Sequence, residues 1–170
     1  MARVLHGVFL VIHDLGVLLA GAPGSGKSRL GLELVARGHA LVGDDCGLFE
    51  VTAEGLVGTP PPHTGDFLHV RGLGVFNIRR QYGDGALCPR HTLELIIQLD
   101  AAAEVDETAL QPPVVMEARH GVAVAVLKVA PAWPGPAVVE ALVARHRLAR
   151  GGYDTAAHLA RCQDEALGRA

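Results

Sequence analysis

A chain of 170 residues with 49% hydrophobic residues is long enough to bury the core of one domain, so we expect residues 1–170 to form a single domain. The formal net charge of −3 gives no overall basic footprint, and neither nucleic acid nor a membrane surface is an expected partner. The three cysteines, Cys46, Cys88 and Cys162, are an odd number and far apart, which fits the reducing cytoplasm better than a disulfide framework.

The first twenty residues are apolar but are interrupted at His6 and at His13-Asp14. These interruptions keep every apolar run short of the roughly 18–20 residues that a membrane span requires. The pattern instead predicts two strands, at 8–12 and 16–20, joined by a turn at His13-Asp14.

The segment that follows the second strand, GAPGSGKS, has the G-x-x-x-x-G-K-S pattern of a phosphate-binding loop. In such loops successive backbone N–H groups surround phosphate, the lysine reaches the β- and γ-phosphates, and the serine hydroxyl ligates Mg²⁺. A strand before the loop and a helix after it, predicted at 28–37, supply the required context. The candidate nucleotide-binding residues are Gly21, Ala22, Pro23, Gly24, Ser25, Gly26, Lys27 and Ser28.

A strand predicted at 39–45 ends in the acidic pair Asp44-Asp45. At the carboxyl end of a strand beside a phosphate loop, one acid can hold Mg²⁺, directly or through water, and the other can accept a proton from a hydroxyl nucleophile. The spacing alone does not divide these two roles between the pair. Further along, Arg71 in the segment RGLG is either a solvated turn arginine or a phosphate contact.

The middle of the chain favours strands, and the C-terminal part favours helices. A standard mononucleotide-binding fold alternates strand and helix, whereas here one crossover helix precedes several strands. The sequence therefore predicts an α/β fold with a P-loop-containing mixed β-sheet core, few helices, and C-terminal helices. We predict strand-containing segments at 46–61, 67–83, 92–100 and 114–130, a loop at 101–113, and helices at 137–149 and 154–168.

Several segments together resemble the catalytic C-terminal domain of bacterial HPr kinase/phosphorylase, in its short single-domain form. The segments RGHALVGDD and VRGLGVFNI are more specific to that family than a phosphate loop alone. The matching pieces occur in the family's order: His6-Gly7, GAPGSGKS, 32–45, 70–78, 82–86 and Gly152-Tyr153-Asp154.

The resemblance implies a serine protein kinase that uses ATP and Mg²⁺ to phosphorylate the phosphocarrier HPr or a paralogue of it, in the regulation of carbon or nitrogen metabolism. Lys27 and Ser28 are implied to bind phosphate and metal, with Asp44 as a second metal ligand. Asp45 or Asp44 is implied as the general base, with His6 close to the acidic pair. The resemblance also implies a homo-oligomer, a hexamer, and a reverse reaction in which inorganic phosphate attacks phosphoserine and yields pyrophosphate.

Two departures from the family pattern leave alternatives open. His69 stands where the family usually has a metal-linked glutamate, and the loop at 101–113 contains no basic residue where the family carries a catalytic arginine. Phosphorolysis is the direction that the missing arginine affects. The alternatives are an ATP-binding regulatory module without catalysis and a small-molecule kinase on the same scaffold.

Overall fold

The computed structural model describes residues 3–44, 47–103, 108–130 and 135–168. The helices within these ranges are α1 (Lys27–Ala36), α2 (Ile78–Tyr82), α3 (Pro136–Arg150) and α4 (Thr155–Ala166), with a short 3-10 helix at Asp84–Ala86. The strands are β1 (Arg3–Leu5), β2 (Val8–Ile12), β3 (Leu15–Gly21), β4 (Ala40–Gly43), β5 (Gly47–Thr52), β6 (Gly55–Thr59), β7 (Phe67–Val70), β8 (Gly74–Asn77), β9 (His91–Leu99), β10 (Val114–Arg119) and β11 (Val122–Val129).

Nine of these strands form one mixed sheet in the order β1-β5-β6-β9-β3-β2-β4, with β11 joined to β9 and β10 joined to β11. The pairs β3–β9 and β9–β11 are parallel, and the other pairs in the sheet are antiparallel. The strands β7 and β8 form a separate antiparallel hairpin. The predicted mixed sheet with few helices is therefore confirmed.

The sheet buries a different hydrophobic cluster on each face. On one face Leu10 of β2 packs in a cluster with Leu34 of α1 and Val139 of α3. On the other face Phe9 and Phe49 pack with their ring centroids 5.2 Å apart. Because neighbouring residues of β2 point to opposite faces, an almost continuously apolar strand is what a sheet covered on both sides requires.

The turn between β2 and β3 lies where the sequence predicts it. His13 and Asp14 both have positive φ angles, of 49° and 66°. Two successive residues with positive φ are typical of a tight turn whose twist matches that of the strands on either side. The turn reverses the chain, so that β3 runs antiparallel to β2 and leads into the phosphate loop.

Several elements differ from the sequence prediction. The short exposed strand β1 and the 3-10 helix are additional, and the segment 67–83 contains both a second strand and a helix rather than one of them. Strand β1 has three residues, two of them exposed, and depends on pairing with β5, so no local pattern indicates it. No residue of α4 is buried, and no helix in the described ranges is long and apolar enough to cross a membrane.

Candidate functional site

The phosphate loop connects the end of β3 to the start of α1. Gly26, the residue before α1, has a φ of 93° and a ψ of 7°, a left-handed conformation that favours glycine. Gly21 lies so close to β9 that a Cβ atom on it would be 2.7 Å from the carbonyl oxygen of Leu99. The two glycines that the motif requires, Gly21 and Gly26, are therefore also required by the backbone conformation and by the close approach of β9.

The N-terminus of α1 has no side-chain cap and no acidic residue in its first turn. The first N–H groups of a helix have no partner within the helix, and together with the helix dipole they favour an anion. An uncapped helix start that follows a glycine-rich loop is thus available for phosphate.

Lys27 folds back onto the loop that it follows. Its Nζ atom donates hydrogen bonds to the carbonyl oxygens of Gly21 and Ala22, each over 2.9 Å. An ammonium group with three donors remains satisfied in this way until a stronger acceptor, such as a phosphate oxygen, is present. The side chain is held within the loop rather than extended into solvent.

Ser25 has a buried hydroxyl group. Its backbone N–H donates to Ala22 over 3.1 Å, and its Oγ atom is buried without a hydrogen-bond partner, 2.8 Å from where a Cβ atom on Gly21 would lie. The hydroxyl of Ser25 therefore lies beneath the loop, next to the end of the sheet.

Asp44 follows β4 and meets the first turn of α1. Its Oδ1 atom lies 3.5 Å from the hydroxyl of Ser28, and its Oδ2 atom accepts a hydrogen bond from the backbone N–H of His69 over 3.0 Å. These two contacts fix both oxygens of the carboxylate at the base of the phosphate loop. The structure thus brings together the two residues that the sequence predicts as metal ligands.

The hairpin β7–β8 supplies the contact to Asp44. Leu68 and Val70 are buried in the cluster that contains Leu34 of α1, whereas the alternate residue His69 is exposed. In the sequence His69 is distinguished only as a departure from a family pattern, and the contact of its backbone with Asp44 is not predicted. Since that contact depends on how a separate hairpin docks on α1, no sequence signal could have located it.

Arg71 lies in the turn between β7 and β8, and its side chain reaches the phosphate loop. A Cβ atom on Gly24 would be 3.8 Å from the Nη1 atom of Arg71. A guanidinium group at that distance can approach a phosphate bound in the loop. The sequence allowed either a solvated turn arginine or a phosphate contact. The position of Arg71 is compatible with a phosphate contact, and that role stays a prediction.

His6 is exposed and lies in the link between β1 and β2. The register pairs Phe9 with Gly43 and Leu5 with Gly47, so His6 lies between two paired positions of the sheet. The closeness of His6 to the acidic pair stays a prediction. Asp45, the other predicted catalytic acid, and Cys46 lie outside the described residues.

The far end of α1 is attached to α3 through one carboxylate. Glu140 accepts hydrogen bonds from Arg37 Nε and Nη2 over 2.8 and 2.6 Å, and its Oε1 atom lies 2.9 Å from His39 Nε2. The hydrogen bonds from Arg37 lower the pKa of Glu140 to about 2, against the opposing effect of partial burial. The helix that starts at the phosphate loop is therefore tied down at its other end by an ionised glutamate.

Sequence comparison and structure comparison both match this chain to HPr kinases. A curated relative from Chromobacterium violaceum, described as HPr kinase/phosphorylase, is 46% identical over 111 residues, which are 65% of this chain and 35% of that protein. A Stenotrophomonas maltophilia protein of the same description is 50% identical over 97 residues, 56% of this chain and 31% of that protein. The matched segment thus spans about a third of these relatives.

A solved structure, the Hpr(Ser) kinase/phosphatase from Coxiella burnetii, matches with a TM-score of 0.82 and 32% identity, over 92% of this chain and 98% of that one. The family model described as the HPr Serine kinase C-terminal domain matches residues 1–163. The family resemblance inferred from the motifs is confirmed: this chain belongs to the HPr serine kinase C-terminal domain family.

Proposed function

We propose that this chain transfers the terminal phosphoryl group of ATP to a serine hydroxyl of an HPr-like phosphocarrier protein in the cytoplasm, and so regulates carbon or nitrogen metabolism. The observation that carries the proposal is the contact between Ser28 and Asp44, 3.5 Å apart at the base of a phosphate loop. It joins a phosphate-binding group and a carboxylate in one site. Phosphoryl transfer depends mainly on such positioning and on charge stabilisation.

Binding of the triphosphate is assigned to the loop and to two cations near it. The uncapped start of α1 offers N–H groups to the phosphates, and Lys27 would exchange its two carbonyl acceptors for the β- and γ-phosphate oxygens. Arg71, beside Gly24, would add a second cationic contact to the phosphates through its guanidinium group.

The residues at the base of the loop fit a magnesium ion. Mg²⁺ prefers oxygen ligands and is usually held by one or two protein groups together with phosphate oxygens and water. Ser28 Oγ and Asp44 Oδ1 form such a pair, and the hydrogen bond from His69 N–H to Oδ2 orients the carboxylate. When bound there, Mg²⁺ would neutralise charge on the transferred phosphoryl group.

The proton of the acceptor serine is assigned to the acidic pair. As the serine oxygen bonds to the γ-phosphorus and the bond to the leaving ADP oxygen breaks, a carboxylate must take the hydroxyl proton. Because Asp44 is engaged by Ser28 and His69, we assign the general base to Asp45. His6 is proposed to position the pair.

The decisive experiment incubates the protein with ATP, Mg²⁺ and HPr from the same organism, and measures phosphoserine by intact-mass spectrometry. Lys27→Ala should weaken ATP binding by about 100-fold, because the backbone N–H groups alone do not balance the β- and γ-phosphate charge. The matched control is Lys128→Ala, the other lysine of the chain, which is exposed on β11. Its ATP affinity should be unchanged.

Asp45→Asn separates binding from transfer. We expect it to bind ATP within about threefold of the parent protein and to lose at least about 100-fold in transfer rate, the scale of one general-base contribution. Asp164→Asn, an exposed change on α4, is the control and should retain activity. Full activity of Asp45→Asn would refute the base assignment.

The same assay distinguishes the alternatives. ATP binding without phosphoserine on HPr would indicate a regulatory module, and ATP turnover only with a metabolite would indicate a small-molecule kinase. Phosphorolysis is proposed as a weaker reverse activity, because the segment 101–113 offers no basic residue. It is measured as pyrophosphate released from phosphoserine-HPr and inorganic phosphate. Assembly into a homo-oligomer, a hexamer, also stays a prediction.

A further inference from the structure

A cavity lies on the α3 side of the sheet, away from the phosphate loop. It is a cleft of about 510 Å³ between the C-terminal half of α3 and the segment that leads into β10. Ligand-binding clefts have volumes of roughly 300–1,000 Å³, and their walls are mostly apolar with a few convergent polar groups. The size and position of the cleft make it a candidate site independent of nucleotide binding.

The floor and one wall of the cleft are apolar. Leu95 of β9 and Leu127 of β11 lie at the bottom of the cleft and are themselves buried from solvent. Leu142 of α3 lies beside them, and Pro112 and Pro113 form the facing wall. A bound molecule would therefore have to offer an apolar body to most of the surface.

The remaining wall carries positive charge from the last turns of α3. Arg145, His146 and Arg150 all line the cleft. Arg150 forms an ion pair with Glu94, whose other oxygen accepts a hydrogen bond from Gly16 N–H over 2.9 Å. In the part of the chain that the structure describes, Arg145 has no carboxylate partner although it is only partly exposed.

His146 adds a partly buried imidazole to the same wall. Burial lowers the pKa of His146, and the positive charges of Arg150 and Arg145 lower it further, while Glu94 opposes them. At neutral pH the cleft thus has a neutral imidazole beside Arg145, a guanidinium group without an ion-pair partner among the described residues. An arginine without an ion-pair partner is a bidentate receptor for a carboxylate or a phosphate.

We propose that this cleft binds a small organic anion in which one carboxylate or phosphate group, held by Arg145, is attached to an apolar body that packs against Leu142, Pro112 and Pro113. The cleft and the nucleotide site meet β9 at different points. Leu95 lies four residues before Leu99, where the phosphate loop meets the strand, and Leu127 pairs with Ile97, two residues before it. The two sites are therefore separated by about 7–13 Å along the strand.

The test uses two anions with the same apolar ring, benzoate and phenyl phosphate, and follows backbone and methyl resonances by NMR. The experiments are done in the Lys27→Ala background, so that a phosphate group bound in the nucleotide loop is not mistaken for the cleft. We expect saturable shifts at Leu95, Leu127 and Leu142 with a dissociation constant on the order of 1 mM for at least one of the two probes. The probe that binds identifies the preferred anionic group.

Two variants and a control test the role of charge. Arg145→Gln should weaken binding about tenfold, and Ala149→Glu, which adds a carboxylate to an exposed position of the cleft wall, should weaken it at least as much. Arg161→Gln on α4 is the matched control and should leave the affinity unchanged. Thermal unfolding confirms that each variant is folded.

Three results would overturn the proposal. One is the absence of saturable shifts in the cleft for both probes at about 10 mM. Another is equal affinity for benzyl alcohol, which has the ring without the charge. The third is unchanged affinity in both folded cleft variants, Arg145→Gln and Ala149→Glu.

Discussion

Replacing Glu140 with glutamine tests how strongly the end of α1 is attached to α3. The substitution keeps the shape of the side chain and removes the charge that accepts two hydrogen bonds from Arg37 and one contact from His39. Because the side chain of Glu140 is only 17% exposed, water cannot fully replace these partners. We therefore expect a measurable loss of stability rather than the near-zero effect of a surface ion pair.

The magnitude follows from the pKa of Glu140. It falls from 4.5 to about 2 in the folded protein, chiefly because of the hydrogen bonds from Arg37. Converted at about 1.4 kcal/mol per pKa unit, the difference sets an upper limit of about 3 kcal/mol. Arg37 is 47% exposed, so solvent screening reduces the expected loss for Glu140→Gln to about 2 kcal/mol at pH 7.

The lowered pKa of Glu140 also determines how its contribution to stability changes with pH. A carboxylate with a lowered pKa stabilises the folded state fully above its unfolded pKa, near 4.5, and loses that contribution as the pH falls toward 2. The difference between the parent protein and Glu140→Gln should therefore be largest at pH 7 and should shrink by roughly half near pH 3.

Urea unfolding followed by circular dichroism at pH 7 and at pH 3 measures both quantities. The control is Glu33→Gln, which removes an exposed pair with Arg29 four residues away on α1 and should change the free energy of unfolding by less than about 0.5 kcal/mol. The reasoning is refuted if Glu140→Gln behaves like Glu33→Gln at pH 7, or if its effect does not change with pH.

Further predictions concern the core and the nucleotide site. Gly58→Ala should cost about 1–3 kcal/mol in urea unfolding, because its Cβ atom would lie 2.5 Å from a buried phenylalanine ring, whereas Gly85→Ala has no atom within 4 Å and should cost less than about 1 kcal/mol. Leu34→Ala, at a position with no exposed surface, should lose about 3 kcal/mol in the same assay. Arg71→Gln should weaken ATP binding about fivefold by calorimetry, and Arg80→Gln, on the exposed side of α2, should leave it unchanged.

The sequence predicts the part of the site that lies on consecutive residues. The phosphate loop, the strand before it and the helix after it follow from local pattern, because each requires a fixed order of apolar residues, glycines and Lys27-Ser28. It was also predictable that Asp44 and Ser28 lie close together, since both follow strands that end at the same edge of the sheet.

Contacts between distant segments were not predictable from one sequence. Arg37 and Glu140 are 103 residues apart, and each resembles any surface charge in its local context. The same holds for His69, whose backbone meets Asp44 only because the β7–β8 hairpin docks on α1 through Leu68 and Val70. Such contacts depend on strand order and hairpin placement, which local periodicity does not encode.

The attachment at Glu140 also bears on how the phosphate loop is held. Helix α1 has ten residues and is therefore about 15 Å long, so Glu140 lies farther from the loop than the roughly 8–10 Å over which salt screens a charge. Any effect of Glu140→Gln on ATP affinity must then act through the position of α1 and not through its charge. Because β3 and the contact of Ser28 with Asp44 hold the other end of the helix, we expect the affinity to stay within about twofold of the parent value. A loss of affinity equal to the loss of stability would instead mean that the loop depends on both ends of the helix.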